Sequence, residues 1–566
     1  MVHLPTRKAA SVPGGANNKN TVHRLGCHDS YHMAMQVLGQ YRGTIVACRY
    51  CPPTHLTSPE ATESLKARFY EAVVRVVLAQ PHLQTGVVGE TSKKPKFISL
   101  KRIDLCKHID WVQLDDSKNA EAQYLETLGS KLDAKFENIA SQPGWNIVVL
   151  HGSKSDRLDV IYNWDHSRHD GMSGKMFHQH LLRNLNNKVH SDRIPVRNAE
   201  KDPDLWAIDL PGFADKLPPP PEAILPFPCS VPTLVRDIWK EAKPPALFPP
   251  GDVYAKWAPI KTSPYKTRFR TFAISHETIA KVVEACRQHQ TTVTGLLHAL
   301  CLLSLSSELK EMKGFVSQTP YDLRHILPSH PTKYPWLEPQ ETMCNYVSVL
   351  EHEYDAALVA QVRAKLPLET AQPQEEGAPP PGTTTSRPLP VDLLDLVWSI
   401  AARVRRKIRA KLDLRGRSDM IGMMKLMSDW NDVMAKLARR PRYLSWLVTN
   451  LGVMDGREGA PVIDGGGDEG TQKRHKTDQE RNEEELQQQK RLEEESDGGI
   501  WLVRRAELVL SAEVPSAAIC VAVVTVKGEQ MTVTCSWQDC VVEAGLGERL
   551  VDDLERWLQE IGSVDS

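Results

Sequence analysis

The feature that most constrains this chain is a strand pattern that gives way to a helix pattern around His166 and Asp170. Apolar residues alternate with others over 158–164, which predicts a strand with one face on a core. Apolar residues then recur every four positions over 177–185, which predicts a helix, with Ser173 as its candidate cap. His166 therefore lies at the end of a strand, where a rigid scaffold can present an imidazole to a cleft.

The residues around His166 predict proton transfer. An unperturbed imidazole titrates near pH 6.5, so at neutral pH it is mostly the free base that can accept a proton from a hydroxyl or an amine. Asp170 has two possible roles, because it can orient the ring directly or turn away and fix the loop through an arginine. Gly171 permits backbone angles that a side chain would forbid. The segment predicts a general base at His166 and leaves the role of Asp170 open.

The pattern His166-x-x-x-Asp170-Gly171 resembles the HxxxD(G) active-site motif of coenzyme A-dependent acyltransferases and peptide-synthetase condensation domains. The rest of the chain is similar to one branch of these enzymes, the fungal alcohol acetyltransferase family. Weaker segments carry that similarity by their order: Arg24-Leu25-Gly26 with Tyr31, Thr44-Ile45-Val46-Ala47, Gln80-Pro81-His82-Leu83, Thr294-Gly295-Leu296-Leu297-His298-Ala299, Tyr321-Asp322-Leu323-Arg324, Thr449-Asn450-Leu451-Gly452 and Ser536-Trp537. Asp165 stands where condensation domains usually place a first histidine, which weakens the hypothesis of a carrier-protein-dependent enzyme.

The resemblance implies an activity and a set of site residues. It implies transfer of an acetyl or other acyl group from acetyl-CoA, as co-substrate, to the hydroxyl of an alcohol or secondary metabolite, with His166 as general base. It also implies that Asp170 faces away from the ring and pairs with an arginine, for which Arg324 is the candidate. Asn450 and Gly452 are candidates for the channel wall near the acceptor, although a tight turn explains them equally well.

Three alternative functions stay open at this stage. The same site could acylate an amine, or the protein could be a carrier-protein-dependent condensation enzyme. A non-catalytic scaffold that binds acyl-CoA is the third. No Ser or Cys beside His166 is marked as a nucleophile, so we expect direct transfer without an acyl-enzyme.

Composition limits the possible partners. A chain of 566 residues favours two domains, and its net charge of −1 gives no electrostatic reason to expect nucleic acid. No apolar run approaches the roughly 20 residues of a membrane span. The eleven cysteines are scattered and odd in number, so we expect reduced thiols and a cytoplasmic protein, with peripheral membrane association left open. We also expect a monomer.

The order of patterns along the chain predicts its organisation. We expect a disordered tail over 1–21, a first domain over 22–212 that carries the histidine motif, and an extended, proline-rich surface crossover over 213–260. A second domain follows over 261–566, with flexible insertions at 370–390 and 465–499. Strand-helix alternation without a dinucleotide-type glycine fingerprint favours two α/β sandwich domains over a Rossmann fold. The resemblance implies more, namely two chloramphenicol-acetyltransferase-like halves with the active site in a channel between them.

Other residues have a functional and a structural interpretation. The side chains of Ser173 and of the basic residues over 403–411 could serve an oxyanion and the phosphates of coenzyme A, respectively, or a helix cap and a solvated helix face. His166, His169, His178 and His180 lack the remaining ligands of a recognised zinc pattern, so we expect no metal site. The pair Cys48 and Cys51 is interpreted as two unrelated thiols.

Overall fold

The structure is a computed structural model that describes residues 22–153, 156–187, 206–212, 216–229, 251–366, 389–460 and 499–563. The predicted tail over 1–21 and nearly all of the insertions predicted over 370–390 and 465–499 lie outside these residues. Within the described ranges, no helix has both the length and the apolar character needed to cross a membrane.

The described residues form sixteen strands. They are β1 (Val22–Arg24), β2 (Gly43–Cys51), β3 (Thr85–Val88), β4 (Lys96–Ser99), β5 (Arg102–Asp104), β6 (Ile109–Gln113), β7 (Trp145–His151), β8 (Leu158–Asp165), β9 (Ala207–Asp209), β10 (Thr267–Ile274), β11 (Phe315–Asp322), β12 (Val347–Tyr354), β13 (Trp446–Met454), β14 (Leu502–Leu510), β15 (Ile519–Val526) and β16 (Met531–Gln538).

The same part of the chain contains twelve α-helices. They are α1 (Cys27–Val37), α2 (Thr62–Ala79), α3 (Ala120–Leu132), α4 (Gly171–Asn186), α5 (Pro221–Ile224), α6 (His276–Gln288), α7 (Val293–Glu308), α8 (Ala356–Lys365), α9 (Val391–Asp413), α10 (Met420–Met424), α11 (Trp430–Leu437) and α12 (Ala544–Ser563).

The first lobe is built on a five-stranded sheet with the spatial order β14-β2-β8-β7-β6. Helices α2 and α4 pack on one face of this sheet, and α3 covers the other face. All eight residues of β8 are therefore buried, and the prediction that this strand has only one face on a core was wrong. Asp159 is accommodated in the buried strand because Arg49 Nε lies 2.7 Å from its Oδ1.

The second lobe is built on a six-stranded sheet with the order β10-β16-β15-β13-β11-β12. Helix α7 is apolar nearly all round and lies inside the second hydrophobic core, flanked by α6, α9 and α12. Two small sheets, β1-β4-β3 and β5-β9, complete the molecule as described. The prediction of a two-lobed α/β fold is confirmed.

The two sheets do not divide the chain at one point. Strand β14 lies in the part predicted as the second domain, 261–566, yet it pairs antiparallel with β2 in the first sheet, with Leu508 opposite Val46. The chain then returns to the second sheet as β15. Val503, Leu508 and Val509 of β14 are buried in first-lobe cores. The predicted boundary therefore does not separate the two sheets.

Near its start, the predicted proline-rich crossover over 213–260 is more buried than the extended surface segment that was predicted, while its residues 213–215 and 230–250 lie outside the described residues. Leu217, Pro218 and Pro219 are buried, and Tyr346 Oη donates a hydrogen bond of 2.7 Å to the carbonyl oxygen of Pro219. A proline has no backbone N–H, so its burial leaves no donor unsatisfied. Two residues later, Pro221 opens the short helix α5, a position at which proline is favoured.

Candidate active site

The loop that carries His166 connects β8 to α4, as the sequence predicts. Asp165 folds this loop, because its Oδ1 accepts from Ser167 N at 2.9 Å and its Oδ2 accepts from Ser167 Oγ at 2.8 Å. Oδ2 also forms an ion pair with Arg168, whose side chain is fully buried. Asp165, which stands where condensation domains usually place a first histidine, thus fixes the start of the loop.

The imidazole of His166 is partly exposed and lies against two rings from another part of the chain. The ring of His32 stacks on it with a centroid distance of 4.1 Å and an interplanar angle of 21°. The ring of Tyr41 is tilted against it at 5.7 Å. His32 lies on α1 and Tyr41 lies just before β2, so two segments other than its own loop form walls around this imidazole.

Burial favours the neutral form of His166 near pH 7. It lowers the pKa of His166, while the charges of Asp170 and Asp165 oppose that shift. Nδ1 of the ring is buried and has no hydrogen-bond partner among the described residues. Of the two ring nitrogens, Nε2 is therefore the candidate that accepts a proton from a bound molecule.

Asp170 turns away from the imidazole and pairs with Arg324. Arg324 Nη1 lies 2.7 Å from Asp170 Oδ2, and both side chains are almost fully buried. Burial would raise the pKa of Asp170, but Arg324 and the hydrogen bonds from Ser173 hold it below its usual value. Of the two roles left open for Asp170, the structure supports fixing the loop through an arginine.

Arg324 is a buried part of this network. Its Nη1 also donates to Asp322 Oδ1 at 3.0 Å, and its Nη2 donates to the carbonyl oxygens of Thr342 and Cys344 at 3.1 Å each. The guanidinium is fully buried. Arg324 therefore lies behind the loop that carries His166. Its predicted place in the substrate channel stays a prediction.

Ser173 has neither of the roles considered for it. The cap of α4 is Asp170, whose side chain accepts from Ser173 N at 2.8 Å. Ser173 Oγ is fully buried, lies 2.8 Å from Asp170 Oδ1 and 2.7 Å from the carbonyl oxygen of Cys344, and accepts from Cys344 N at 2.9 Å. Because its hydroxyl is committed to these groups, Ser173 is not available to an oxyanion, and the prediction of capping was wrong.

Residues 344–346, here called the seam segment, bind the histidine loop from the second lobe. The carbonyl of Cys344 accepts from Asp170 N at 3.2 Å, Asn345 Nδ2 donates to the carbonyl oxygen of His166 at 2.9 Å, and Tyr346 N donates to Asp170 Oδ2 at 2.8 Å. The seam segment leads directly into β12. The loop on one lobe is thus fixed by backbone and side-chain groups of the other.

Gly171 has no unusual backbone angle, because its φ lies outside the left-handed region. A Cβ at this position would lie 3.0 Å from Leu451 Cδ2, a close contact with the end of a flexible side chain. The prediction that Gly171 permits forbidden backbone angles was wrong. The close approach brings the start of α4 against β13.

Asn450 and Gly452 lie in a β-bulge of β13. Asn450 Oδ1 accepts from Gly452 N at 2.7 Å, and Gly452 has a φ of +68°, which glycine adopts at little cost. Lys175 of α4 donates to the carbonyl oxygens of Leu451 and Val453 at 3.0 and 2.6 Å. Asn450 and Gly452 thus form a tight local turn, and their role in the channel wall stays a prediction.

The sequence analysis missed three residues around His166, namely His28, His32 and Asn345. His28 and His32 are four positions apart, so a helix places them on one face, and their rings lie 4.8 Å apart. The spacing was a usable signal for that shared face. Nothing in the sequence indicates that this face meets His166, because the two segments are separated by more than a hundred residues.

The other histidines and the basic cluster were considered as ligand sites. His169 is buried, and its Nδ1 lies 3.4 Å from Tyr162 Oη in a hydrogen bond. The Nδ1 of His178 lies 2.9 Å from Tyr50 Oη in another. Among the described residues, no three His, Cys, Asp or Glu side chains could hold a metal ion together. None of the eleven cysteines, all of which lie in the described ranges, forms a disulfide. In the cluster over 403–411, Arg403, Arg406, Lys407 and Arg409 are exposed on α9.

Comparison with known proteins supports the resemblance. A family model described as alcohol acetyltransferase matches residues 112–336. The probable alcohol acetyltransferase FCK4 of Fusarium pseudograminearum is 26% identical over 565 residues, which cover 98% of this chain and 97% of that protein.

Solved structures with low sequence identity share the fold. The trichothecene 15-O-acetyltransferase TRI3 of Fusarium sporotrichioides superposes with a TM-score of 0.61 at 12% identity, covering 97% of this chain and 96% of that chain. The starter condensation domain of rhizomide synthetase, solved with C8-CoA, gives a TM-score of 0.50 at 10% identity, covering 96% and 97% of the two chains. The chain is thus similar in sequence to alcohol acetyltransferases, and these solved structures share its two-lobed fold.

Proposed function

We propose that the protein is an O-acyltransferase that moves an acyl group, acetyl by preference, from acetyl-CoA to the hydroxyl of a small-molecule alcohol or secondary metabolite. The observation that carries this proposal is the neutral, partly exposed imidazole of His166, which the other lobe fixes through its carbonyl oxygen. The relatedness to alcohol acetyltransferases over nearly the whole chain favours a hydroxyl over the amine and carrier-protein alternatives.

His166 acts as the general base in this proposal. Its Nε2 accepts the hydroxyl proton of the alcohol while the alcohol oxygen forms a bond to the thioester carbonyl carbon. The tetrahedral intermediate then collapses, the carbon–sulfur bond breaks, and the imidazolium returns the proton to the departing thiolate. The products are an ester and free coenzyme A, and His166 ends as the neutral base from which it started.

Direct transfer fits the surroundings of His166. The hydroxyl of Ser167 donates to Asp165, and the hydroxyl of Ser173 is held between Asp170 and Cys344. Burial raises the pKa of the Cys344 thiol well above its usual value, so the thiolate is scarce near neutral pH. None of these three side chains meets the requirement of an activated nucleophile.

Acyl-CoA is proposed as the donor on two grounds. The family resemblance implies it, and the rhizomide synthetase domain that shares the fold was solved with C8-CoA.

The test is an acyl-transfer assay with purified protein, labelled acetyl-CoA and a panel of alcohols and amines. We expect a labelled ester, and we expect His166→Ala to lower turnover by about 10²–10⁴-fold while binding is largely kept, because the proton acceptor is lost. His151→Ala is the matched control, since His151 is a partly exposed histidine at the end of the neighbouring strand β7. That control should keep wild-type turnover.

Two outcomes contradict the proposal. Full activity of a folded His166→Ala variant would exclude the general-base mechanism. Products formed with amines but with no alcohol of the panel would assign the protein to amide formation instead.

A further inference from the structure

The strongest unexplained feature of the molecule is a row of three imidazoles that ends on His166. The rings of His28 and His32 on α1 lie 4.8 Å apart and are tilted by 52°. The ring of His32 stacks on that of His166 at 4.1 Å and 21°. His28 and His32 are each only 7% exposed. Two buried histidines beside a general base are costly to maintain as mere packing, since an apolar residue would fill the same space without polar nitrogens.

One nitrogen of each of these two rings is buried without a hydrogen-bond partner in the described part of the chain. These nitrogens are Nδ1 of His28 and Nδ1 of His32. Among the described residues, the ring of His32 is close and nearly parallel to one other ring, that of His166. Tyr31 and Tyr41 meet it edge-on or tilted, at 4.9 and 6.0 Å.

We propose that His32 is a positioning residue for His166, which fixes the plane of the catalytic imidazole and shields one of its faces from water. This inference rests on the proposed function of His166 as general base. A flat ring in face contact leaves the edge of His166, with its lone pair, free for a bound hydroxyl. The shielded face loses hydration, which disfavours the imidazolium and keeps the base neutral at lower pH.

The charges around the pair support this direction. Several titratable groups influence the pKa of His166 or of the histidines beside it, or contact the His166 ring. They are Asp165, Asp170, His28, His32, Tyr41, His169 and, through His28, Asp419. The two carboxylates Asp165 and Asp170 favour the imidazolium, and burial opposes them. Burial also lowers the pKa of His32 well below its usual value. His32 therefore stays neutral while His166 titrates, and it acts on His166 by excluding water and not by charge.

The experiment compares His32→Ala with His32→Phe. Removal of the ring lets water reach His166, so His32→Ala should move the acid limb of the pH–kcat profile upward by about one pH unit. Well below the wild-type midpoint its kcat should fall by up to about tenfold relative to the wild type, because a shift of one pH unit changes the fraction of neutral base by at most that factor. The loss should be smaller at pH 8.5, with little change in KM. His32→Phe restores a flat ring without nitrogens and should keep the wild-type acid limb.

A second readout does not depend on acyl transfer. Carbethoxylation by diethyl pyrocarbonate modifies the neutral imidazole, so its pH dependence at His166, measured by peptide mass spectrometry, reports the protonation of that ring directly. We expect the same upward shift in His32→Ala and none in His32→Phe. His289→Ala is the control, because His289 also stacks on a ring, that of Trp398 at 4.4 Å, but lies on the end of α6.

Each result separates the two proposals. If His32→Ala leaves the carbethoxylation profile unchanged, or if His32→Phe shifts it as much as His32→Ala, the positioning role is wrong. If the wild type acylates no acceptor but the carbethoxylation profile shifts as expected, the positioning role of His32 is supported and the proposed function fails.

Discussion

At the residue scale, the site depends on one buried ion pair. Asp170 and Arg324 are both almost fully buried, and Asp170 also accepts from Ser173 N and Tyr346 N. Breaking a buried pair leaves a charge without its partner in a poorly hydrated interior. The pair is therefore the point at which the stability of the fold and the position of His166 are coupled.

We expect Asp170→Asn to lower the free energy of unfolding by about 3 kcal/mol, since Arg324 loses its main counter-charge but keeps Asp322. Urea titration at pH 7 measures this change. Glu284→Gln is the control, because its pair with Arg287 is exposed and should contribute at most about 0.5 kcal/mol. A loss in Asp170→Asn no larger than in the control would contradict the argument.

The same pair predicts a pH dependence of stability. The pKa of Asp170 in the folded protein is below its ordinary value, so the ionised form contributes stability that is complete above the unfolded pKa of about 3.9 and is lost as pH falls through the folded pKa. The difference in unfolding free energy between wild type and Asp170→Asn should therefore narrow below about pH 4. A constant difference between pH 7 and pH 3 would show that the carboxylate charge is not the cause.

The sequence predicted the site only where local pattern was sufficient. The spacing from His166 to Gly171 and its place between a strand and a helix could be predicted, because both are local properties. The partners His32 and Asn345 could not, since they come from α1 and from the seam segment, and only tertiary packing brings them to the loop. The cap of α4 was misassigned for a related reason, because Asp170 and Ser173 are both good capping residues.

At the element scale, the position of α4 against the first sheet depends on a close approach at Gly174. A Cβ at this position would come within 2.3 Å of Trp164 Cη2 and 2.8 Å of Val46 Cγ2. Both neighbours are buried in strands of the first sheet. The absence of a side chain at Gly174 therefore determines how closely α4 packs against the first sheet.

Gly174→Ala should destabilise the protein by about 1–3 kcal/mol, because the added methyl group overpacks the contact between α4 and β8. The melting temperature measures the effect. Gly152→Ala serves as the comparison, since a Cβ there meets nothing within 4 Å and should leave the melting temperature nearly unchanged. Equal melting temperatures for both variants would mean that the helix can shift without cost.

At the scale of the whole molecule, β14 makes the two lobes depend on each other. The strand lies in the first sheet, while the segments before and after it, β13 and β15, lie in the second. The residues of a strand do not reveal which sheet it joins, because that choice depends on tertiary packing. The division into domains was therefore the least predictable part of the fold.

Calorimetry of the full chain should show one unfolding transition, because neither sheet is complete without chain that passes through the other. Val509→Ala, which removes buried methyl groups from β14 in the first lobe, should lower the temperature of that single transition and not split it. Two resolved transitions in the wild type, or a Val509→Ala effect confined to one of them, would contradict the dependence.

The seam segment also has a consequence for how small molecules reach the histidine. Its bonds to the backbone of His166 and to Asp170 would have to break before the halves could swing apart at that point. A small molecule that reaches His166 without separation of the lobes would therefore pass beside these hydrogen bonds while they stay formed.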